Sequence, residues 1–361
     1  MSASPDQRPL QVGLVGYGLG GSAFHAPLVA ATPGLHLAAV VTRNAERRRE
    51  VERRYPRARV LPDVDALWAM SAALDLVVVS SPNATHVPYA RAALESGLHV
   101  VVDKPFAATA AGARAVGALA ERVQRLAVPF QNRRWDGDFL TVQRLLREQA
   151  LGTIHRFESR FERLRATAKP GWTAPGAGER GEGIVYDIGA HLVDQALVLF
   201  GPATEVYAEL DRRHPDVIVE DEAFVSLVHA DDVRSHLYMS AVAAQPGPRM
   251  SVWGSRGAYV KHGLDGQEAA LRAGGIPGSA GWGAEPEDLW GWLGAQAERR
   301  HHPTEAGAYP AFYAGVEHAI RIGVAPPVRV ADAVATLEVI EAAYRSARER
   351  RAVALPFAPR P

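Results

Sequence analysis

Short apolar runs alternate with segments of helical spacing over the first 130 residues. The runs are VGLVG (12–16), LHLAAVVT (35–42), ARVL (58–61), LDLVVVS (74–80), HVVVDK (99–104) and LAVPF (126–130). Most are continuously apolar and β-branched, as strands buried on both faces must be. Segments with helical periodicity lie between them, at 45–55, 86–97 and 109–123. This alternation predicts a doubly wound parallel sheet, a Rossmann domain over residues 1–130.

The pattern changes after residue 130. A predicted helix at 138–150 leads into segments where polar and apolar residues alternate, at 154–161, 205–211, 222–230, 234–243 and 249–261. Period-two alternation is typical of strands with one buried face, so residues 131–361 are predicted to form an α+β domain on an open, mainly antiparallel sheet. Helices predicted at 187–200 and 311–322 would cover one face of that sheet. A last helix is predicted at 331–350, and the sequence does not say where it docks.

Composition narrows the classes of function. Lys plus Arg and Asp plus Glu are balanced at 40 each, which argues against a nucleic-acid partner. The chain has no cysteine, which removes disulfides, thiolate nucleophiles and cysteine-ligated zinc from the possible mechanisms. MSASPDQRPL lacks the apolar core of a signal peptide, and no apolar run approaches the ~18 residues of a membrane helix. We therefore expect a soluble cytoplasmic protein that acts on small molecules.

The stretch GYGLGG (16–21) places Gly16, Gly18 and Gly21 in the pattern G-x-G-x-x-G, directly after the first predicted strand. In that context the pattern indicates a dinucleotide site, because Gly16 permits a tight turn, Gly18 admits a pyrophosphate and Gly21 allows close helix packing. Leu19 and Gly20 belong to the same predicted turn, whose helix N-terminus attracts phosphate. A purely structural glycine turn is the alternative.

The end of the second strand selects the cofactor. NAD sites usually carry an acid there to bind the ribose 2′-hydroxyl, but this strand ends in Thr42 and Arg43. Thr42 can offer a hydroxyl and Arg43 can pair with a 2′-phosphate, so NADP is favoured over NAD. The alternative is that Arg43 is simply a solvated loop residue.

Two further stretches carry candidate chemistry. Lys104 stands at the carboxyl end of a buried strand, where it could bond a substrate hydroxyl or could be a surface lysine before Pro105. Asp187 and His191 are four residues apart on a predicted helix, so they share one face and form a candidate acid–base pair. A core histidine, an acid stabilised by the helix dipole and half of a metal site are the competing interpretations, and no further metal ligands have convincing spacing.

Together these motifs resemble the glucose–fructose oxidoreductase, inositol dehydrogenase and rhizopine-catabolism (Gfo/Idh/MocA) family of NAD(P)-dependent enzymes. The resemblance covers nearly the whole chain and rests on GYGLGG (16–21), DKP (103–105) and DIGAH (187–191) in this order. Other stretches look like those of NADP-dependent scyllo-inositol dehydrogenases, which interconvert scyllo-inositol and its ketone; they include FHAPL (24–28), SSPNATH (80–86), QNRRWDGDF (131–139) and WGSRGAYVKHGLD (253–265).

The resemblance implies a role for each candidate residue. His191 would take the proton from the reacting hydroxyl, Asp187 would fix its orientation, and Lys104 would support the developing negative charge. The cofactor-facing candidates are Ser81, Pro82, Asn83, His86, Pro105, Arg133 and Trp172, each with an interdomain contact or a core position as the alternative. Arg134 and Trp135 are expected at the domain junction. Tyr309 is expected to pack or to bond substrate, and His301 and His302 to be solvated.

The resemblance also implies an assembly of two or four copies, paired through the open sheet. An uncovered apolar sheet face would expose a large patch, and Val225, Leu227, Leu237 and Met239 are the candidates for that outward face. The loop at 274–292 is either a lid or an oligomer contact.

Two other functions stay open. One is NADPH-dependent reduction of another sugar or polyol. The other is non-catalytic dinucleotide sensing, which the retained Lys104, Asp187 and His191 disfavour.

Overall fold

The computed structural model describes residues 8–169 and 171–356. Its first sheet has six parallel strands in the order β3-β2-β1-β4-β5-β6. The strands are β1 (Leu10–Val15), β2 (Leu35–Val41), β3 (Arg59–Leu61), β4 (Leu76–Val79), β5 (His99–Val102) and β6 (Ala127–Pro129). Strand residues of β4 and β5 are almost fully buried, as their continuous β-branched sequence requires. The predicted doubly wound fold is confirmed.

Helices cover both sheets. They are α1 (Ala26–Ala31), α2 (Ala45–Arg54), α3 (Val64–Trp68), α4 (His86–Glu95), α5 (Ala110–Arg122), α6 (Gly137–Arg147), α7 (Ala190–Phe200), α8 (Gln267–Arg272), α9 (Pro310–Ile322) and α10 (Val330–Glu349). Two of them begin with wide π-helical turns, Gly20–His25 before α1 and Val185–Gly189 before α7. Such turns change the angular spacing of neighbouring side chains and occur often at functional sites.

The second sheet has nine strands in the order β14-β13-β12-β11-β7-β10-β9-β8-β15. They are β7 (Ile154–Glu162), β8 (Ala203–Asp211), β9 (Glu222–His229), β10 (Arg234–Ser240), β11 (Met250–Gly254), β12 (Gly257–Lys261), β13 (Gly291–Gly294), β14 (Arg300–His302) and β15 (Val353–Ala354). The sheet is mainly antiparallel as predicted, with β7 and β10 pairing in parallel. The single strand expected at 249–261 is a hairpin of β11 and β12.

The outward candidates on the second sheet were assigned to the wrong face. Val225, Leu227, Leu237 and Met239 are fully buried against the helices. Because side chains alternate along a strand, an error of one residue in register exchanges the two faces completely. The open face instead carries half-buried aromatic and charged side chains, which include Tyr207, Phe224, His236, Tyr238, Glu158 and Arg160.

Helix α9 does not cover the second sheet, contrary to the sequence expectation for 311–322. Phe312, Tyr313 and Val316 pack beside α1 on the first sheet, in one core cluster with Val12 and Leu14. An amphipathic helix can serve either sheet, and the sequence pattern does not tell which. Helix α10 contacts α5 and β6 of the first domain as well as α7 and β8 of the second, so it joins the two.

One segment is apolar enough to be mistaken for a membrane span. Residues 178–200 meet the length and hydropathy expected of a crossing helix, but 78% of that window is buried inside the protein. The segment contains α7, whose buried residues line the core between the second sheet and α10. Its hydrophobicity is explained by this core position.

Candidate active site

A cavity of about 320 Å³ lies where the loops after β4 and β5 face the second domain. Ligands of doubly wound sheets bind at this edge, outside the carboxyl ends of the strands. The wall holds ten of the residues singled out in the sequence: Leu19, Gly20, Ser81, Asn83, His86, Lys104, Pro105, Arg133, Asp187 and His191. The others lie off this wall: Gly16, Gly18, Gly21, Thr42, Arg43, Pro82 and Trp172. The fold thus brings the three predicted catalytic side chains to one cavity.

The turn after β1 has the shape that a dinucleotide needs. Gly16 has a φ of +96°, and a Cβ there would lie 2.3 Å from the carbonyl oxygen of Ser80. A Cβ at Gly21 would lie 2.2 Å from the carbonyl oxygen of Gly16, so only glycine lets the helix approach the strand this closely. The position where Gly18 would carry a Cβ is open space. The first N–H groups of the following helix lack intrahelical acceptors, so the turn fits a pyrophosphate.

Thr42 and Arg43 follow β2 beside this turn, since the N–H of Gly16 donates to the carbonyl oxygen of Val41. Thr42 is buried and Arg43 is exposed. No carboxylate occupies either position. The end of β2 therefore presents a guanidinium, the group that suits a 2′-phosphate.

Asp103, the acid of the DKP motif, is fixed next to the glycine turn. Its Oδ2 accepts a hydrogen bond from Ser80 Oγ at 3.0 Å, and its Oδ1 accepts one from the backbone N–H of Lys104 at 2.8 Å. His25 Nε2 lies 3.5 Å from Oδ2. Burial alone would raise the pKa of Asp103, but His25, His86 and Lys104 together outweigh it and hold that pKa well below its usual range. Asp103 is therefore ionised and orients the turn that carries Lys104.

Lys104 and Asp187 meet in the cavity with a second lysine. Lys104 Nζ donates to Asp187 Oδ1 at 2.5 Å and to the Asp187 carbonyl oxygen at 2.7 Å. Lys169 Nζ lies 2.9 Å from Asp187 Oδ2. Burial would raise the pKa of Asp187, but the two lysine charges outweigh it and hold that pKa well below its usual range. Asp187 is thus a fixed anion shared by two ammonium groups.

The orienting partner of His191 is Gln131, not Asp187 as the sequence suggested. His191 Nδ1 lies 3.0 Å from Gln131 Oε1, and Gln131 Nε2 donates to the Ala190 carbonyl oxygen at 3.4 Å. With the amide in this orientation, Nδ1 carries the proton and Nε2 is left as an acceptor. Burial first, and then the charges of Arg133 and Lys104, lower the pKa of His191 well below 6.5. His191 is therefore neutral at pH 7 and can act as a base.

The π-turn before α7 explains why the predicted Asp187–His191 pairing is wrong. Residues four apart stack on one face only in a regular α-helix. The turn Val185–Gly189 is wider, so Asp187 is directed to the lysines and His191 to Gln131. Each side chain still faces the cavity.

The loop after β4 forms another part of the wall. His86 bonds the carbonyl oxygens of Pro105 and Ser81, at 2.8 and 2.9 Å, and so ties this loop to the DKP turn. Asn83 Nδ2 donates to the carbonyl oxygen of Gly181 at 3.0 Å, which bridges the two domains. Pro82 caps the short turn that begins at Asn83.

The arginines of QNRRW lie at the domain junction as expected. Arg133 lines the cavity and pairs with Glu268 at 2.6 Å. Arg134 makes a bidentate bond to Asp194, at 2.8 and 2.6 Å, and does not line the cavity. Trp135 packs edge-on against Phe312 of α9.

Trp172 occupies the core instead of the cofactor-facing position predicted for it. It is 1% exposed, and Lys169 Nζ lies 5.8 Å from its ring centroid. A cation over an aromatic face is attracted to it, so Trp172 supports the lysine that holds Asp187. The sequence around Trp172 does not show how deeply this side chain lies, because a wall position and a core position both suit an aromatic residue.

Three other candidates are structural. Tyr309 is fully buried and donates to Asp136 Oδ1 at 2.7 Å, which favours its packing role over substrate bonding. His301 and His302 are half-buried on β14 and not freely solvated, since the rings of His301 and Trp292 lie 3.9 Å apart. Within the described part of the chain, no group of three or more His, Asp or Glu is placed to hold a metal ion.

Sequence reasoning missed much of the charged wall. The overlooked residues are Asn132, Arg163, Arg165, Lys169, Glu182, Glu268 and Arg272. Asn132 lies within QNRRWDGDF and Lys169 three residues before Trp172, but neither is singled out there, and the others come from separate segments of the second domain. One signal was available: Phe161, Arg163 and Arg165 follow the period of a strand, and all three face the cavity.

Comparison with known proteins is consistent with this geometry. Residues 10–130 match the family model of an oxidoreductase family with an NAD-binding Rossmann fold, and residues 139–260 match the model of the GFO/IDH/MocA C-terminal domain. Both matches fall on the two sheets described above.

Individual relatives extend over nearly the whole chain. The uncharacterised oxidoreductase YdgJ of Escherichia coli is 38% identical, covering 96% of this chain and 99% of its own. The scyllo-inositol 2-dehydrogenase (NADP(+)) IolW of Bacillus subtilis is 32% identical, covering 96% of each. The structure of the putative oxidoreductase yvaA from B. subtilis superimposes with a TM-score of 0.91 at 31% identity, covering 98% of this chain and all of that one.

Proposed function

The chain belongs to the GFO/IDH/MocA oxidoreductase family, and from this premise we propose that it is an NADP-dependent dehydrogenase of a cyclitol or sugar hydroxyl. The observation that carries the proposal is the meeting of Lys104, Asp187 and a neutral, Gln131-oriented His191 in one cavity beside a glycine turn. Scyllo-inositol and scyllo-inosose are the first pair to test, because the relative IolW is named for that activity. The alternative is a reductase of another sugar or polyol.

The residues present fit two phosphate groups of the cofactor, the pyrophosphate and the 2′-phosphate. Gly16, Gly18 and Gly21 would receive the pyrophosphate, and Arg43 would receive the 2′-phosphate that distinguishes NADP from NAD. NADP⁺, when bound, supplies the hydride acceptor for the oxidation of the substrate carbon. Asn83 and Pro105 would border it on the cavity side.

The chain's own groups supply the proton chemistry. In the oxidative direction His191 Nε2 accepts the proton of the reacting hydroxyl, which its lowered pKa permits at neutral pH. Lys104, held by Asp187, donates a hydrogen bond to the same oxygen and stabilises its developing charge. In reduction the same two groups act in reverse: His191 first takes a proton from solvent at Nε2 and then donates it to the carbonyl oxygen that becomes the hydroxyl.

We further propose a homodimer, or a tetramer of dimers, through the open face of the second sheet. One face of that sheet is covered by α7 and α10, while the other keeps Phe224, His236 and Tyr238 partly exposed in contact with one another. Aromatic residues of this kind are enriched in interfaces. We also propose that the protein is located in the cytoplasm.

The first experiment is a matrix of cofactors and substrates. Purified protein is mixed with NADP⁺ or NAD⁺ and with inositol stereoisomers, glucose, xylose or other polyols, and reduced nicotinamide is followed by absorbance. Reduction of NADP⁺ by scyllo-inositol well above myo-inositol or glucose supports the narrow proposal. Preference for NAD⁺ contradicts the role of Arg43. Failure of every polyol and of every inosose and keto-sugar in the reverse direction favours the non-catalytic sensor.

A further inference from the structure

The cavity wall carries more basic than acidic side chains. The basic ones are Lys104, Arg133, Arg163, Arg165, Lys169 and Arg272, and the acidic ones are Asp103, Glu182, Asp187 and Glu268. A neutral polyol needs hydrogen-bond donors and acceptors, but it does not need a surplus of positive charge. The ion pairs of each basic side chain show which of the positive charges lack a partner.

Four of the six basic groups have a carboxylate partner on the wall. Lys104 and Lys169 share Asp187, at 2.5 and 2.9 Å. Arg133 and Arg272 share Glu268, at 2.6 and 2.8 Å. Each of these four cations therefore contacts a carboxylate, although the two lysines share one carboxylate and keep a net positive charge.

Arg163 and Arg165 are different. Among residues 8–169 and 171–356, no carboxylate oxygen lies within 4.0 Å of either guanidinium. Glu182 lies on the same wall but does not form an ion pair with either arginine. Arg165 Nε is buried without a hydrogen-bond partner in this part of the chain. Burial, and then the neighbouring charge of Arg165, lower the pKa of Arg163. Two neighbouring guanidinium groups without a carboxylate partner repel each other, and an anion bound between them would relieve that repulsion.

The backbone aims both side chains into the cavity. The N–H groups of Arg163 and Arg165 donate to the carbonyl oxygens of Ser240 and Ala241, at 3.0 and 2.8 Å, which extends the strand beyond β7. Residues two apart on a strand share a face, so both arginines line the cavity while Leu164 between them is 65% exposed. The fold thus fixes a pair of guanidinium groups on the wall that the second domain supplies.

We propose that Arg163 and Arg165 form an anion subsite, and that the preferred substrate is a polyol or sugar bearing a carboxylate or a phosphate. Guanidinium groups bind both anions by paired hydrogen bonds. The proposal rests on the dehydrogenase function proposed above and moves the preferred substrate from a neutral polyol such as scyllo-inositol to an anionic cyclitol or sugar. The subsite belongs to the substrate and not to the cofactor, because the glycine turn and Arg43 that suit the cofactor's phosphates belong to the other domain.

The test compares neutral sugars and polyols with derivatives of the same compounds that carry a carboxylate or a phosphate. The full-length protein is assayed with D-glucose, D-glucuronate and D-glucose 6-phosphate, and with myo-inositol and myo-inositol 1-phosphate, at saturating NADP⁺. We expect kcat/KM for an anionic member to exceed that of its neutral partner by about tenfold or more, the value of one charged hydrogen bond. The carboxylate and phosphate arms show which anion is preferred. Equal rates within every matched pair would overturn the proposal.

Variants assign the preference to the two arginines. Arg163→Gln and Arg165→Gln are each expected to lower the anionic-to-neutral ratio of kcat/KM by about tenfold, with Arg165→Lys retaining part of it. Arg122→Gln, which removes one exposed charge from α5, is the matched control and should keep the ratio. Weaker NADPH binding by the two Gln variants, with the ratio unchanged, would assign the arginines to the cofactor and overturn the proposal.

A binding measurement separates this proposal from the dehydrogenase proposal. If no polyol is turned over, thermal unfolding is followed with NADPH present and either glucose or glucuronate added. Stronger stabilisation by glucuronate in the wild type, lost when both arginines are replaced by Gln, supports the anion subsite even without catalysis. Equal stabilisation by the two sugars would refute it.

Discussion

Gln131 offers the most direct test of how the site prepares its base. Replacement by Leu keeps the side chain's approximate size but removes the acceptor that holds His191 Nδ1–H at 3.0 Å. The buried N–H would then be unsatisfied, and leaving such a donor unpaired costs ~1–3 kcal/mol. Gln131 would also stabilise the imidazolium that forms as His191 takes the proton, so a loss of the same size in the transition state should lower kcat by ~5- to 150-fold, at ~1.4 kcal/mol for each factor of ten.

The pH dependence distinguishes this role from general damage. In the wild type, the acid limb of kcat/KM for oxidation should lie below pH 6.5, because the pKa of His191 is lowered and the neutral imidazole is the active form. Gln131→Glu keeps an acceptor at Nδ1 but adds negative charge, which stabilises the imidazolium and raises the pKa of His191. The acid limb of the Gln131→Glu enzyme should therefore move to higher pH. At high pH its kcat should be closer to the wild-type value than the kcat of Gln131→Leu is.

Gln195→Leu is the matched control. Gln195 is a buried glutamine that bonds the Arg133 carbonyl oxygen and Arg249, and it does not line the cavity. It should lower the melting temperature while leaving the position of the acid limb unchanged. A Gln131→Leu enzyme with wild-type kcat, or a Gln131→Glu profile identical to the wild type, would refute the assignment of Gln131 as the group that orients His191.

Three further changes probe the rest of the site and the assembly. Lys104→Ala should lower turnover by ~10²–10⁴-fold, the usual range for lost acid–base assistance, and near-normal steady-state rates would contradict its role. Arg43→Ala should raise KM for NADP⁺ by about tenfold, the value of a charged hydrogen bond, and leave KM for NAD⁺ almost unchanged; an equal effect on both would exclude the 2′-phosphate contact. Tyr238→Glu on the open sheet face should shift the mass measured by light scattering from dimer or tetramer to monomer, and an unchanged mass would place the interface elsewhere.

The first sheet could be predicted from sequence because its strands are buried on both faces. Val77, Val78 and Val79 form a continuous β-branched run that only a central strand explains. The glycine turn was equally predictable, since the tight approach of Gly16 and Gly21 to backbone atoms excludes other residues.

The second domain was harder for two physical reasons. An alternating strand shows that one face is buried without showing which of its neighbours bury it, and Val225 and Leu237 were assigned outward for that reason. The prediction that Asp187 pairs with His191 depends on a regular α-helix between them. The observed π-turn instead points the two side chains in different directions. Gln131 lies in the quoted stretch QNRRWDGDF, but nothing in that stretch or around Lys169 shows that these two side chains reach His191 and Asp187, so only the tertiary structure reveals their roles.

The position of α9 affects how the first domain can fold while the chain is being synthesised. Ribosomes synthesise the glycine turn near the beginning of the chain and Tyr313 near its end, yet His25, in the helix after that turn, bonds the Tyr313 hydroxyl at 2.6 Å. Until α9 leaves the exit tunnel, the apolar surface around Val12 and Leu14 stays incompletely covered. A fragment that stops at residue 130 would therefore carry all six strands and still lack part of its own core. For the same reason, a transplanted nucleotide-binding half would need residues 310–322 supplied with it, as a separate peptide or through a rearranged chain order.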